Sequence, residues 1–232
     1  SRMIAIALLS ASMPITAKAQ DKVEASVGAD FVSNYIWRGT DCGGISIQPS
    51  MGVSYKGLSL TAWCSVGIDK EDAREIDLTL GYNTGGFSVS VTDYWFSYHK
   101  EDGGYTGDYF KYGAHSTVHI FEATLGYDFG PLALSWNTYF AGDDYTKENG
   151  DRAYSTYVGI SAPFKLGGLD WSAEVGLTPW DGVYANKFNV TNLTLKAEKE
   201  IKFTNSFSLP TFAQVTFNPH TQGAYFVFGV SF

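Results

Sequence analysis

The sequence predicts an all-β fold, a transmembrane antiparallel up-and-down β-barrel of twelve strands. Three observations predict it. The chain ends on Ala224, Phe226, Phe228, Val230 and Phe232 alternating with Tyr225, Val227, Gly229 and Ser231. A closing strand with a terminal aromatic suits a barrel, whose last strand pairs with its first so that no edge meets lipid. The same two-residue period recurs throughout the chain. Short turns also alternate with longer loops, as in single-chain bacterial outer-membrane barrels.

The front of the chain is read separately. Met3 to Met13 is a short apolar run behind Arg2, and Ala17-Lys18-Ala19 offers small residues for a signal peptidase. The run is too short to span a bilayer as a helix. Residues 1–19 are therefore expected to be a secretory signal, truncated at its front because Ser1 is not an initiator Met. Residues 20–232 are expected to form the barrel.

The strands follow in order. The first is expected over Val23–Arg38, the second over Ile45–Tyr55 and the third over Leu58–Ile68. The fourth is Glu75–Tyr82, the fifth Phe87–Tyr98, the sixth Thr117–Tyr127 and the seventh Leu132–Ala141. The eighth is Ala153–Phe164, the ninth Leu169–Thr178, the tenth Phe188–Lys199, the eleventh Ser206–Phe217 and the twelfth Ala224–Phe232. An even number leaves both termini on the periplasmic side. Turns such as Lys56-Gly57 fall at the inner end. Loops such as His99–Ser116 and Gly142–Arg152 fall at the outer end.

Composition agrees with a lipid-facing wall. Aromatics make up 16% of the 232 residues, charged residues only 17%, and there are 25 glycines. In the third strand Leu58, Leu60, Ala62, Cys64 and Val66 share one face, while Ser59, Thr61, Trp63 and Ser65 share the other. Tyr35, Trp37, Trp95, Tyr139 and Tyr154 are expected at the outer ends, at headgroup level. Two places break the alternation. Asp93 falls on the lipid parity, which a bulge near Thr92 or a position close to the outer interface would resolve. Phe188 and Val190 are out of phase with Leu193 and Leu195, which predicts a bulge near Thr191. Cys42 and Cys64 are expected to stay unpaired.

The net charge of −8 argues against a nucleic-acid partner, which needs Lys and Arg. No cofactor or metal spacing is present. By parity, the expected lumen-lining charges are Asp30, Arg38, Glu75, Asp77, Glu122, Asp170, Glu174 and Lys196, with Glu24 and Glu198. An acid-rich interior suits a cation-leaning pore. It equally suits a filled interior in which acids bond to Ser, Thr and Tyr and Arg38 pairs with Asp30 or Asp77. Arg38-Gly39-Thr40-Asp41 is read as a turn anchored by Arg38, with a ligand contact at the outer mouth as the alternative. Tyr105, Tyr109, Phe110 and Tyr112 give the His99–Ser116 loop the character of a plug or a docking surface. No enzyme is expected. His119 and Ser116 lie close in sequence, but His119 suits an interfacial role better than that of a base beside a nucleophile.

Ser33-Asn34-Tyr35-Ile36-Trp37-Arg38-Gly39 with Gln48-Pro49, Ile76 to Tyr82, Tyr94-Trp95-Phe96-Ser97-Tyr98 and Gly107-Asp108-Tyr109-Phe110 resemble a family of bacterial outer-membrane proteins, the Gcw-chp group. Members usually carry a Pro after the aromatic end of the fifth strand, where this chain has His99-Lys100. The resemblance implies an outer-membrane barrel and no reaction. The leading functional expectation is a passive porin-like channel for small polar solutes or cations. The alternative is a non-conducting structural or accessory barrel that binds another cell-envelope component, and a lipid-modifying enzyme comes last. The expected partners are outer-membrane lipid, such solutes or cations, and an envelope protein under the alternative.

Overall fold

A computed structural model describes residues 22–100, 104–205 and 207–232. The expected leader lies outside the described residues. Among the described residues, fourteen strands form: β1 (Glu24–Val32), β2 (Tyr35–Trp37), β3 (Thr40–Gly43), β4 (Ser46–Tyr55), β5 (Leu58–Gly67), β6 (Arg74–Thr84) and β7 (Phe87–Ser97), then β8 (His119–Asp128), β9 (Ala133–Gly142), β10 (Thr156–Leu166), β11 (Leu169–Thr178), β12 (Asn189–Lys202), β13 (Ser208–Asn218) and β14 (Gly223–Ser231). Twelve of them close a barrel in which β1 pairs with both β4 and β14, every pairing being antiparallel. β2 and β3 stand apart as a separate two-stranded hairpin.

The alternation decides which face meets which medium. Met51, Val53, Leu58, Leu60, Leu80, Val91, Leu125, Trp136, Leu195 and Phe226 are exposed on the outside. Ser59, Ser65, Thr92, Ser135, Asn137, Thr194, Gln214 and Thr216 are buried inside. Apolar groups out and polar groups in is the pattern of a barrel solvated by lipid, with a lumen that satisfies its own polar groups.

The structure corrects the first predicted strand. It leaves the wall after Val32 rather than running to Arg38. Ser33 is still tied to β14, its amide donating to the Phe228 carbonyl at 2.9 Å and its Oγ accepting from the Phe228 amide at 3.0 Å. The chain then turns inward, forms the β2–β3 hairpin inside the lumen, and rejoins the wall at β4. Tyr35 and Trp37 are therefore lumen residues and not part of an outer girdle. Tyr139 is likewise buried. The eighth predicted strand begins at Thr156 rather than Ala153.

The expected bulge near Thr191 is present. Gly176 pairs with Asn192 and Leu177 with Val190, so Thr191 is the extra residue. No register shift occurs near Thr92, where β7 runs in continuous register against β6 and β8. Asp93 is accommodated by other means, described below. The β1–β14 seam is short. Only Asp30, Phe31 and Val32 have register partners in β14, extended by the reciprocal Ala29–Phe232 backbone bonds.

Candidate functional site: a hairpin inside the lumen

The hairpin is built from a two-residue turn. Trp37 pairs with Thr40, and Arg38 and Gly39 between them have φ of 50° and 79°. Positive φ at both central residues marks a turn whose twist matches its flanking strands, and it favours Asn or Gly at both places. Gly39 meets this demand and a second one. A Cβ there would overlap the carbonyl oxygen of Thr191. The hairpin tip thus rests on the β12 bulge. The Gly39 carbonyl also accepts a hydrogen bond from Asn218 Nδ2 at 3.0 Å.

From β1 and β4 the hairpin crosses to the far wall. Tyr35 packs on Trp63 of β5, ring centroids 5.5 Å apart, beside Glu75 and Asp77. Trp37 packs on Tyr94 of β7 at 5.7 Å and on Tyr184 at 6.4 Å. At the base, the Gly44 amide donates to Asp72 Oδ1 at 3.2 Å. A cavity of about 20 Å³ remains under the tip, lined by Arg38, Gly39, Glu174, Asn192 and Thr216 among others. That is room for about one water molecule.

Arg38 is the centre of this arrangement. Its Nη1 and Nη2 donate to Glu122 Oε2 and Oε1 at 2.6 and 2.9 Å, and Nη1 also donates to Tyr184 Oη at 2.6 Å. The side chains of Arg38 and Glu122 are 8% and 1% exposed, so the pair is out of water. The guanidinium lies 4.3 Å from the Trp37 ring centroid and 4.8 Å from that of Tyr157. Glu122 Oε1 accepts a further bond from Tyr94 Oη at 3.0 Å. A buried ion pair tolerates desolvation only when its other lone pairs are satisfied in this way.

The remaining predicted lumen residues divide by depth. Glu174 accepts from Tyr157 Oη and from Asn192 Nδ2. Glu75 is buried, and Asp77 Oδ1 is buried without a hydrogen-bond partner. Asp30 shares the lumen face with its register partner Gln48. Lys196 pairs with Glu198 at 2.6 Å. Asp170 is exposed at the short-turn rim, paired with Lys165. Arg38 pairs with Glu122 rather than with Asp30 or Asp77. Among the described residues, no group of three or more His, Cys, Asp or Glu side chains is placed to hold a metal.

The aromatic loop does something different. Tyr109 packs on Trp95 at 5.4 Å, and Tyr112 on His119 at 4.2 Å and on Phe121 at 6.4 Å. Trp95, His119 and Phe121 all lie on the outward parity, so Tyr109 and Tyr112 cover the outer wall and do not enter the lumen. Phe110 is 89% exposed between them. Tyr105 holds Arg74, whose guanidinium sits 3.8 Å from its ring centroid. Under this cover, His119 Nδ1 lies 2.7 Å from Asp93 Oδ1, and Nε2 lies 2.7 Å from the Tyr109 carbonyl oxygen. Tyr112 Oη donates to Asp93 Oδ2 at 3.3 Å. The anomalous Asp93 is thus hydrogen-bonded to a histidine on the neighbouring strand and roofed by a loop. Ser116 Oγ bonds the Gly113 carbonyl and has no part in it.

Sequence reasoning missed Tyr157 and Tyr184 as partners of Arg38. Trp37-Arg38-Gly39-Thr40 held a hairpin signal, since a two-residue turn with Gly between strand-forming flanks is its usual form. Tyr184 sits in a long loop, where no period marks it.

No family model matches the sequence, and no curated protein does. Among solved structures, the chain is similar to BamA from Haemophilus ducreyi lacking POTRA domains 1–3, at a TM-score of 0.39 and 11% identity. The match covers 83% of this chain and 41% of that one, so this chain spans less than half of its length.

Proposed function

We propose that this chain is a bacterial outer-membrane barrel with periplasmic termini, closed at rest by its own first hairpin, and that it serves as a non-conducting accessory barrel rather than an open porin. The observation that carries this reading is the position of Arg38. It sits inside the barrel, bound to Glu122 on the far wall, and the cavity beside it has room for about one water molecule. A hydrated ion needs far more room. The apolar outer face and the resemblance to the Gcw-chp group fit the same location. The outer loops, with Phe110 foremost, are then the surface offered to another envelope component.

A second reading is a gated channel. Asp77, Glu75 and Glu174 line the lumen, so a displaced hairpin would leave a path suited to small polar solutes or cations. Single-channel recording of the refolded mature chain under a KCl gradient tests the first reading. The intact chain is expected to be silent. A variant with residues 34–44 replaced by a short Gly-Ser linker is expected to conduct with cation preference. Steady current through the intact chain would overturn the closed-barrel reading.

A further inference from the structure

The residue at the hairpin turn does not suit the turn. A φ of 50° is unfavourable for a long L side chain, and Asn or Gly would fill the position at lower cost. What Arg38 supplies is its guanidinium, and the wall around that group has the chemistry of a binding site. One carboxylate, Glu122, meets the planar fork with both oxygens. Tyr184 Oη accepts a further N–H, and the Tyr157 ring lies against the guanidinium. These wall groups are held by partners other than Arg38. Glu122 is fixed by Tyr94, Tyr157 by Asn192 at 2.9 Å and by Glu174, and Tyr184 by Tyr139 at 3.4 Å. A second carboxylate, Glu174, lines the adjoining cavity.

We infer that the lumen wall carries a receptor site for a guanidinium group, filled at rest by Arg38, and that guanidinium-bearing solutes are the ligand class able to take its place. The geometry selects a planar fork over a point charge. A guanidinium can engage both Glu122 oxygens and lie against an aromatic ring at once, and a primary ammonium cannot reproduce that arrangement. In the intact chain the tethered Arg38 competes at high effective concentration, so a free ligand is seen best when that side chain is gone.

The inference rests on the closed-barrel reading, and it is tested by a readout independent of current. Arg38→Gly removes the side chain and accepts the positive φ. Refolded Arg38→Gly barrel is titrated with millimolar ethylguanidinium chloride, with ethylammonium chloride as control, and its thermal unfolding is followed. A saturable rise in apparent Tm of about 3 °C is expected at ten times Kd, from mass action on a domain of this size. The rise is expected for ethylguanidinium only, and is absent from Arg38→Gly/Glu122→Gln. If Arg38→Gly refolds poorly, the refolding yield becomes the readout, restored by ethylguanidinium and not by ethylammonium. Equal responses to the two salts, or none to either, would overturn the receptor site. That result leaves the silence of the intact barrel standing, whereas current through the intact barrel removes the closed state itself.

Discussion

Two polar pairs in this barrel are withheld from water, one on each side of the wall. Inside, Arg38 and Glu122 meet beneath a hairpin that enters the lumen. Outside, His119 and Asp93 meet on adjacent strands beneath a loop that lies on the outer wall. Both solutions fold a covering segment over a polar pair. They differ in what the cover contributes. The hairpin brings one of the charges itself, so the plug and the pair are inseparable. The loop brings a carbonyl oxygen and a phenol to a pair already complete in the wall, and turns Phe110 outward. The medium beyond each cover explains the difference. Polar lumen walls can bond an incoming arginine, whereas lipid can bond nothing, so the outer pair must be closed off by chain.

Substitutions should separate the two. The largest effect is expected at Glu122→Leu, which leaves the Arg38 guanidinium buried without its carboxylate. A loss of about 3–5 kcal/mol is expected in urea unfolding of the refolded barrel. A loss under 1 kcal/mol would mean the hairpin leaves the lumen readily. His119→Ala should cost less, about 2 kcal/mol, because Asp93 keeps Tyr112 and an acidic group on the outer face costs less than Lys or Arg. The double change Asp93→Leu/His119→Phe should return stability to within about 1 kcal/mol of the parent, since replacing both partners by apolar groups leaves no charge behind. Failure of that recovery would show that the loop depends on the pair for its place. Phe110→Ala should shift stability by no more than about 0.5 kcal/mol, because the ring, though edge-on to Tyr109, is left largely exposed. Its effect belongs to binding, measured by partition into vesicles or capture of a partner.

The sequence was informative wherever the period of two was enough. It placed the acids Glu122 and Glu174 on the inner face, and it located the bulge near Thr191 from Phe188 and Val190 being out of phase with Leu193 and Leu195. It failed where two different strands share one period. Tyr35-Ile36-Trp37 continues the alternation of Glu24–Val32, so nothing local distinguishes a strand in the wall from one inside it. Asp93 was visible as an anomaly. Its resolution depended on His119, 26 residues away, and on a loop whose path no periodicity records. Tyr184 was invisible because its role is fixed only by the closure of the barrel around Arg38.

The seam between β1 and β14 ties the plug to the closure of the wall. The hairpin grows from the first wall strand, whereas the strand that completes the wall is the last to be synthesised. The final joining reaches only three residues in register, and it encloses a hairpin already tethered at both ends. Closure of the cylinder and enclosure of the plug thus share one strand, since β1 both carries the hairpin and forms one side of the seam.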